Sequence, residues 1–510
     1  MMAALACVVL GAIDLTVVAA ILPGMIGDLG VNTADIDRYI WAVNIYLIAY
    51  IVAIPLAGRI SDLIGRRVVF GGALIVFLTG SIVCAMSTDL TQLIVGRGIQ
   101  GFGGGALLPI ALALAGDTLG KRAQLAGVGL VSAVETIGWI LGPIYGASVV
   151  EGLANVKEPW RWVFWINVPV LGVLLLVLWR LPEPVSVDRE GGLARLDIPG
   201  AILLSLTLTS LNLALATGGE LGSGTGTGMR ALGGTQNPLA DQSGWLIATA
   251  VVSLVALAAW ELRTRWPLLP VTLYRRGPFV GTVVANLCLG AVIMVAMVNI
   301  PVVVALTTDP SNISVASAGL LAPFTVAIAA ASLAASAVAR RVGELRTMAT
   351  GVAMSAGGCL LIGSLLDRDR VWMAALGLIV CGVGLGLLLP PLGTLPIHLA
   401  GARERGAAAS SALLFRLLGM TIGVSTLTSL GVHRLQTLTS RVDPIVRQPD
   451  ESTASFLIRQ QQFIVDHAIP LSIQVVQETF FAAAAIAALA GIPIALLGKY
   501  LAAEISAERL

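Results

Sequence analysis

Four charged side chains stand inside otherwise apolar stretches of this sequence: Asp14, Arg97, Glu135 and Arg416. Glu135 is the only charge in SAVETIGWILGPIYG, and Asp14 is the only one in GAIDLTVVAAILP. A carboxylate in such surroundings favours its neutral, protonated form, and an arginine brought near favours the ionised one. The chemistry on offer is proton uptake and release, with an ion pair made or broken as the proton moves. Asp14 and Glu135 are the expected proton-coupling residues, with Arg416 as the expected partner of one of them. A permanent structural pair between Glu135 and Arg416 is the competing reading. Arg97 stands between a packing role and a transport role.

Little other chemistry is available. The three histidines (His398, His433, His467) have no metal-ligand spacing. All five cysteines lie in apolar blocks, so neither a disulfide framework nor a zinc site is indicated. The glycines of GRGIQGFGGGALLP are followed by no GK[ST], which removes the phosphate-loop reading and leaves close helix packing for Gly103 to Gly105. No nucleophile–histidine pairing is present. An enzyme and an ATP-driven pump are both disfavoured, and no cofactor is expected. A net charge of +2 argues against nucleic acid as a partner.

The elements that must hold these charges are membrane helices. The 510 residues are 57% hydrophobic and 12% charged, roughly half the charged fraction of a soluble domain. The apolar residues come in blocks of about 20, the length of a bilayer-spanning helix. Segmentation gives fourteen spans, near 3–24, 39–57, 68–87, 93–115, 125–149, 162–180, 197–217, 244–261, 278–306, 316–338, 347–366, 371–391, 406–432 and 478–498. The N-terminal run is apolar from its first residue, with no basic region before it, and reads as a retained first span. Alternate loops carry seventeen and ten basic residues, so the richer set is placed in the cytoplasm with both termini. Counted from that side, Glu135 lies ten residues into its span, about 15 Å deep. Asp14 and Arg416 fall at similar depth, and Arg97 falls nearer the outer side.

Between the second and third spans the sequence reads GRISDLIGRRV. Gly58 and Gly65 permit close backbone approach there, and Asp62 can pair with Arg66 or Arg67. This resembles the signature loop of the major facilitator superfamily. The R-x-x-Q-G element of that superfamily matches Arg97, Gln100 and Gly101. Its antiporter motif is similar to Gly138, Gly142, Pro143 and Gly146, where glycines on one face admit another helix and the proline bends its own. WRWVFWINVP and RLLGMTIG resemble further segments of the 14-span drug:proton antiporter group, and Asp14 matches that group's first-span acid. Ala147 and Ala20 depart from the usual pattern. Within the group, the chain looks most similar to mycobacterial exporters of triacylglycerides and drugs that work with a lipid-carrying lipoprotein.

The resemblance implies an all-α membrane protein of two six-helix bundles, residues 1–190 and 271–510, with two linker helices within 191–270. It implies alternating access driven by a proton gradient, in a monomer of the inner (plasma) membrane. It also implies a cytoplasmic latch at Asp62, Arg66 and Arg67. The expected cargo is an apolar lipid such as a triacylglyceride. A multidrug:proton antiporter is the alternative in this class, and a non-transporting scaffold or receptor is the alternative outside it. The Gly-rich stretch from Thr217 to Gly244 reads as a flexible loop or hairpin. In the outer loop 433–477, HRLQTLTSRV and SFLIRQQQFIV have amphipathic helical spacing. Their apolar faces could lie on the membrane, pack on each other, or guide a lipid chain toward a carrier protein.

Overall fold

The computed structural model describes residues 2–29, 40–119, 121–153, 155–180, 197–218, 243–265, 267–269, 271–308, 313–368, 370–401, 404–439, 452–463, 466–467 and 469–498. Among the described residues there are fourteen long helices: α1 (Met2–Asp28), α2 (Ile40–Ile64), α3 (Arg66–Ala85), α4 (Leu90–Thr118), α5 (Lys121–Gly152), α6 (Arg161–Arg180), α7 (Ile198–Gly218), α8 (Ser243–Glu261), α9 (Gly277–Thr307), α10 (Ile313–Val342), α11 (Glu344–Leu365), α12 (Ala374–Leu399), α13 (Arg405–Thr439) and α14 (Ile469–Leu489). Each corresponds to one of the expected spans. Twelve are long and apolar enough to cross a membrane, and α5 makes a thirteenth when its two pieces count as one. In α1 the apolar run over described residues is the shorter Met2–Val18. Exposed tryptophans stand near helix ends, at Trp162, Trp165 and Trp179 of α6, Trp245 and Trp260 of α8, and Trp372 before α12. Such placement suits the two membrane–water interfaces.

Helix packing repeats with an offset of eight. In the first set α1 packs on α5, α2 and α3 on α4, and α3 on α6. In the second set α9 packs on α13, α10 and α11 on α12, and α11 on α14. The junctions repeat as well. A single glycine with positive φ joins α2 to α3 (Gly65, 106°) and α10 to α11 (Gly343, 91°), a conformation that side chains oppose. The contacts between the sets obey the same rule: α5 against α10 mirrors α13 against α2, and α5 against α12 mirrors α13 against α4. This is the pseudo-symmetry of a parallel repeat. Helices α7 and α8 pair with each other, and α7 also touches α2 and α13.

The bend in α5 has a local cause. Its halves, Ala123–Trp139 and Leu141–Gly152, meet at 40°. Pro143 has no N–H to offer the carbonyl of Trp139 four residues back. That carbonyl accepts instead from the Thr16 hydroxyl of α1, at 3.1 Å. The glycine face allows the approach: a Cβ on Gly142 would lie 1.9 Å from Thr16 Oγ1, and one on Gly138 2.5 Å from the Ala12 methyl. Gly142→Ala is therefore expected to force α1 and α5 apart and cost about 1–3 kcal/mol. Gly172→Ala, where a Cβ would meet no described atom within 4 Å, should be silent. Thermal unfolding of the two variants in detergent checks the contrast.

Residues 219–242 of the Gly-rich stretch lie outside the described residues. Of the two amphipathic segments in the outer loop, the first continues α13 as far as Thr439, and the second forms a helix at Thr453–Phe463. The last span begins earlier than expected, at Ile469.

Candidate functional site

Asp14 sits on α1 and is 2% exposed. Its Oδ2 lies 2.7 Å from Arg97 Nη1. Its Oδ1 accepts from Gln100 Nε2 at 2.9 Å and from Asn167 Nδ2 at 3.3 Å. Arg97 is wholly enclosed. It also donates to Gln100 Oε1 at 2.6 Å and to the Ala42 carbonyl at 3.3 Å, and its guanidinium lies 4.0 Å from the Tyr46 ring centroid. Gln100 Nε2 in turn donates to Ser81 Oγ at 2.9 Å. The charge pair is thus enclosed and its hydrogen-bonding capacity largely met, which is what a buried pair requires. Every group in this network comes from α1, α2, α3, α4 or α6.

The depth count from sequence placed Arg97 away from Asp14, and the structure corrects it. Asp89 caps α4, accepting from the Gln92 amide at 2.9 Å, while the Gln92 side chain accepts from the Thr88 amide at 2.9 Å. This reciprocal cap starts the helix at Leu90 rather than near 93, which sets Arg97 about one turn deeper. Gly101 then lets α4 press against α2, since a Cβ there would lie 2.4 Å from the Tyr46 carbonyl oxygen.

Glu135 on α5 and Arg416 on α13 meet between the two sets of helices. Arg416 Nη2 donates to both carboxylate oxygens, at 3.1 and 3.2 Å, and both residues are buried. Arg416 Nε has no partner among the described atoms. The two helices are repeat equivalents, and their sequences agree in register: ETIGWILG begins at Glu135 and RLLGMTIG at Arg416. Each has its charge at the first position and glycines at the fourth and eighth. As Gly138 and Gly142 seat α5 on α1, so Gly419 and Gly423 seat α13 on α9. A Cβ on Gly419 would lie 1.9 Å from the Leu287 carbonyl oxygen, and one on Gly423 2.7 Å from Ala291 Cα. Acid and base occupy matching places in the two repeats.

A third cluster ties the sets together at the end of the bundle that carries the signature loop. Asp62 accepts from the amides of Gly406 and Ala407, at 3.0 and 2.9 Å, and so caps the start of α13. Arg66 bridges Asp62 at 2.5 Å and Asp117 at 3.0 Å, and Arg405 reaches Asp117 at 3.1 Å from the other set. Gly58 leaves room for Ser410, whose Oγ would be 2.4 Å from an added Cβ. His398 of α12 meets Gln124 of α5. Arg67 takes no part; it donates to the Trp179 carbonyl on α6. Asp62→Ala is expected to remove about 2–4 kcal/mol from this closed arrangement. A Ser410→Cys reporter in that background should react with a water-soluble maleimide at least tenfold faster than in the parent.

Sequence reasoning missed Ser81, Asn167, Asp117, Gln124, His398 and Arg405. Asn167 was the most visible, as a lone amide in the apolar run WINVPVLG. Asp117 and Arg405 fall just outside the expected spans 93–115 and 406–432, and only the folded chain shows them facing each other.

This geometry can be set beside known proteins. A sequence model of the Major Facilitator Superfamily matches residues 4–424. The chain belongs to the major facilitator superfamily. It is therefore a multi-pass membrane transporter and not an enzyme. It is 33% identical to a triacylglyceride transporter of Mycolicibacterium smegmatis over 458 residues, 85% of this chain and 76% of that one. A triacylglyceride transporter of Mycobacterium tuberculosis is 32% identical over 84% of this chain and 81% of its own. The fold is shared with the human organic anion transporter MFSD10, at a TM-score of 0.60 and 14% identity, covering 95% of this chain and 98% of that one. The proton:xylose symporter XylE matches at 0.59 and 13% identity, covering 95% and 93%.

Proposed function

We propose that this major facilitator is a proton-coupled exporter of apolar lipids of the triacylglyceride class, working by alternating access. The observation that carries the reading is the buried Glu135–Arg416 pair between equivalent helices of the two repeats. A proton on Glu135 removes the charge that holds Arg416 and so loosens the tie across the interface. Deprotonation restores it. Asp14, neutralised by Arg97 within one repeat, serves as a second proton site. The Asp62, Asp117 and Arg405 cluster then latches whichever state closes that end of the bundle.

The excess of basic loop residues supports an orientation with that end and both termini in the cytoplasm, and we place the protein in the inner (plasma) membrane. The arrangement described above is accordingly the one closed to the cytoplasm. The names of the mycobacterial relatives support triacylglycerides as the cargo. The proton gradient is the energy source, the working unit is a monomer, and residues 1–190, 191–270 and 271–510 act as bundle, linker and bundle. We read the helix Thr453–Phe463 and the extension of α13 as the route by which a lipid passes to a carrier lipoprotein. The test is reconstitution in liposomes with an imposed pH gradient, comparing a labelled triacylglyceride with a cationic dye. Gradient-dependent movement of the lipid is expected. Movement of the dye alone would make the protein a multidrug antiporter, and movement of neither would end both readings.

A further inference from the structure

A groove of about 700 Å³ opens on the outer flank of the second repeat, between α11, α12 and α14. Ala353 and Gly357 line it together with Met354, Leu360, Val380 and Phe481. Close packing on either side explains why it exists. A Cβ on Gly358 would lie 2.3 Å from the Cys381 amide nitrogen, and one on Gly363 2.7 Å from the Phe481 ring, so α12 and α14 are drawn tightly to α11. At Gly357, by contrast, an added Cβ would meet no described atom within 4 Å. The missing side chains on one face of α11 leave a channel that its neighbours do not fill.

Three features identify an occupant. The lining is apolar and lies within membrane-spanning helices, so the medium facing it is lipid rather than water. From Ala353 to Ser364 the groove follows twelve residues of helix, a rise of about 16 Å, and one leaflet of the hydrocarbon core is about 15 Å thick. Beyond its far end the sequence runs Asp367, Arg368, Asp369 and Arg370 before Trp372, which is 70% exposed; the two acids offset the arginines along the chain, and Arg370 is the exposed base next to the interfacial tryptophan.

We propose that this groove binds one acyl chain of an anionic phospholipid, from the leaflet on the side opposite the signature loop, with the phosphate facing Arg370. The groove shares no residue with the charge clusters described above, and the proposal does not depend on which cargo is exported. The bound chain supplies the packing that Ala353 and Gly357 omit, bracing the second repeat as it moves against the first.

Photolabelling in lipid nanodiscs tests the site, using an anionic phospholipid with a diazirine in its acyl chain and mapping of the labelled peptides. Label is expected on α11 and on the segment around Phe481. Gly357→Trp should reduce it at least fivefold, and Ala353→Leu should do so in part. Gly172→Trp, at an equally open glycine on α6, should leave it unchanged. Arg370→Gln should erase the preference for the anionic probe over a zwitterionic one with the same chain. Labelling that survives in monodisperse Gly357→Trp protein overturns the site. Equal labelling of the wild type by both phospholipids overturns the headgroup assignment. Stronger labelling by a triacylglyceride carrying the same diazirine would make the groove a cargo site and overturn the phospholipid proposal.

Discussion

Glu135→Gln is expected to abolish pH-gradient-driven export while leaving the protein folded. Glutamine keeps the shape of the side chain but cannot ionise, so the attraction to Arg416 is lost in every state. Removing one member of a buried pair costs about 3–5 kcal/mol, which shifts the balance between closed and open arrangements by a factor of up to about 10²–10⁴. The tie spans the two repeats, so much of that shift should appear as opening of the signature-loop end. Arg416 is left with an uncompensated charge, and unfolding should move to lower temperature. Adding Arg416→Met removes that charge and should recover stability to within about 1 kcal/mol of the parent, without recovering coupling. Counterflow and gradient-driven uptake in proteoliposomes, with thermal unfolding of the single and double variants, separate the two effects. A Glu135→Gln protein with wild-type rate and pH dependence would refute proton coupling through this residue and leave the pair a structural one.

The second large effect is expected at Arg97. Arg97→Met removes the ion pair with Asp14, the hydrogen bond to Gln100 and the stacking on Tyr46 in a single change. Its cost should reach about 3–5 kcal/mol, since Asp14 remains buried without a counter-charge. Asp14→Asn should also be destabilising, because Arg97 then stays buried and charged without a partner even though the amide oxygen can still accept from Gln100 and Asn167, and it should alter the pH profile of transport. The double substitution should be more stable than Arg97→Met alone. If it is equally unstable, the strength of the site lies in the Tyr46 and Gln100 contacts and not in charge compensation. An unaltered pH profile in Asp14→Asn would exclude Asp14 from proton coupling.

Most of the architecture was legible in the chain. Apolar blocks of about 20 residues mark the helices, and GRISDLIGRRV with the Gly138–Gly146 motif marks the superfamily. Glu135 and Arg416 could be matched because both enter from the same side through helices of similar start. Asp14 and Arg97 could not, because their helices run in opposite directions and an error of one turn at the Asp89 cap changed the apparent depth. Asp117 and Arg405 were illegible for another reason. Charges at helix ends look like ordinary loop charges until the two repeats bring them within reach. The shared register of ETIGWILG and RLLGMTIG was readable throughout, but it becomes visible only when the halves of the chain are set against each other.

Helices α1 and α5 also carry the two membrane acids as one body. The glycine face and the captured Trp139 carbonyl hold the two helices in close contact. A rearrangement that follows a change of charge at Glu135 must therefore act on the helix that bears Asp14.

The matched register has a last consequence, for how such a site could arise. In a symmetric dimer of one bundle, the position on the two-fold axis faces its own copy, so an acid would meet an acid and a base a base. Neither arrangement can form a buried ion pair. When both copies share one polypeptide the axial position can differ between them, glutamate in one and arginine in the other. The Glu135–Arg416 contact is in this sense a broken symmetry: it makes the two halves of a nearly symmetric machine electrically distinct, and a chain that contains the bundle twice can hold it where a homodimer cannot.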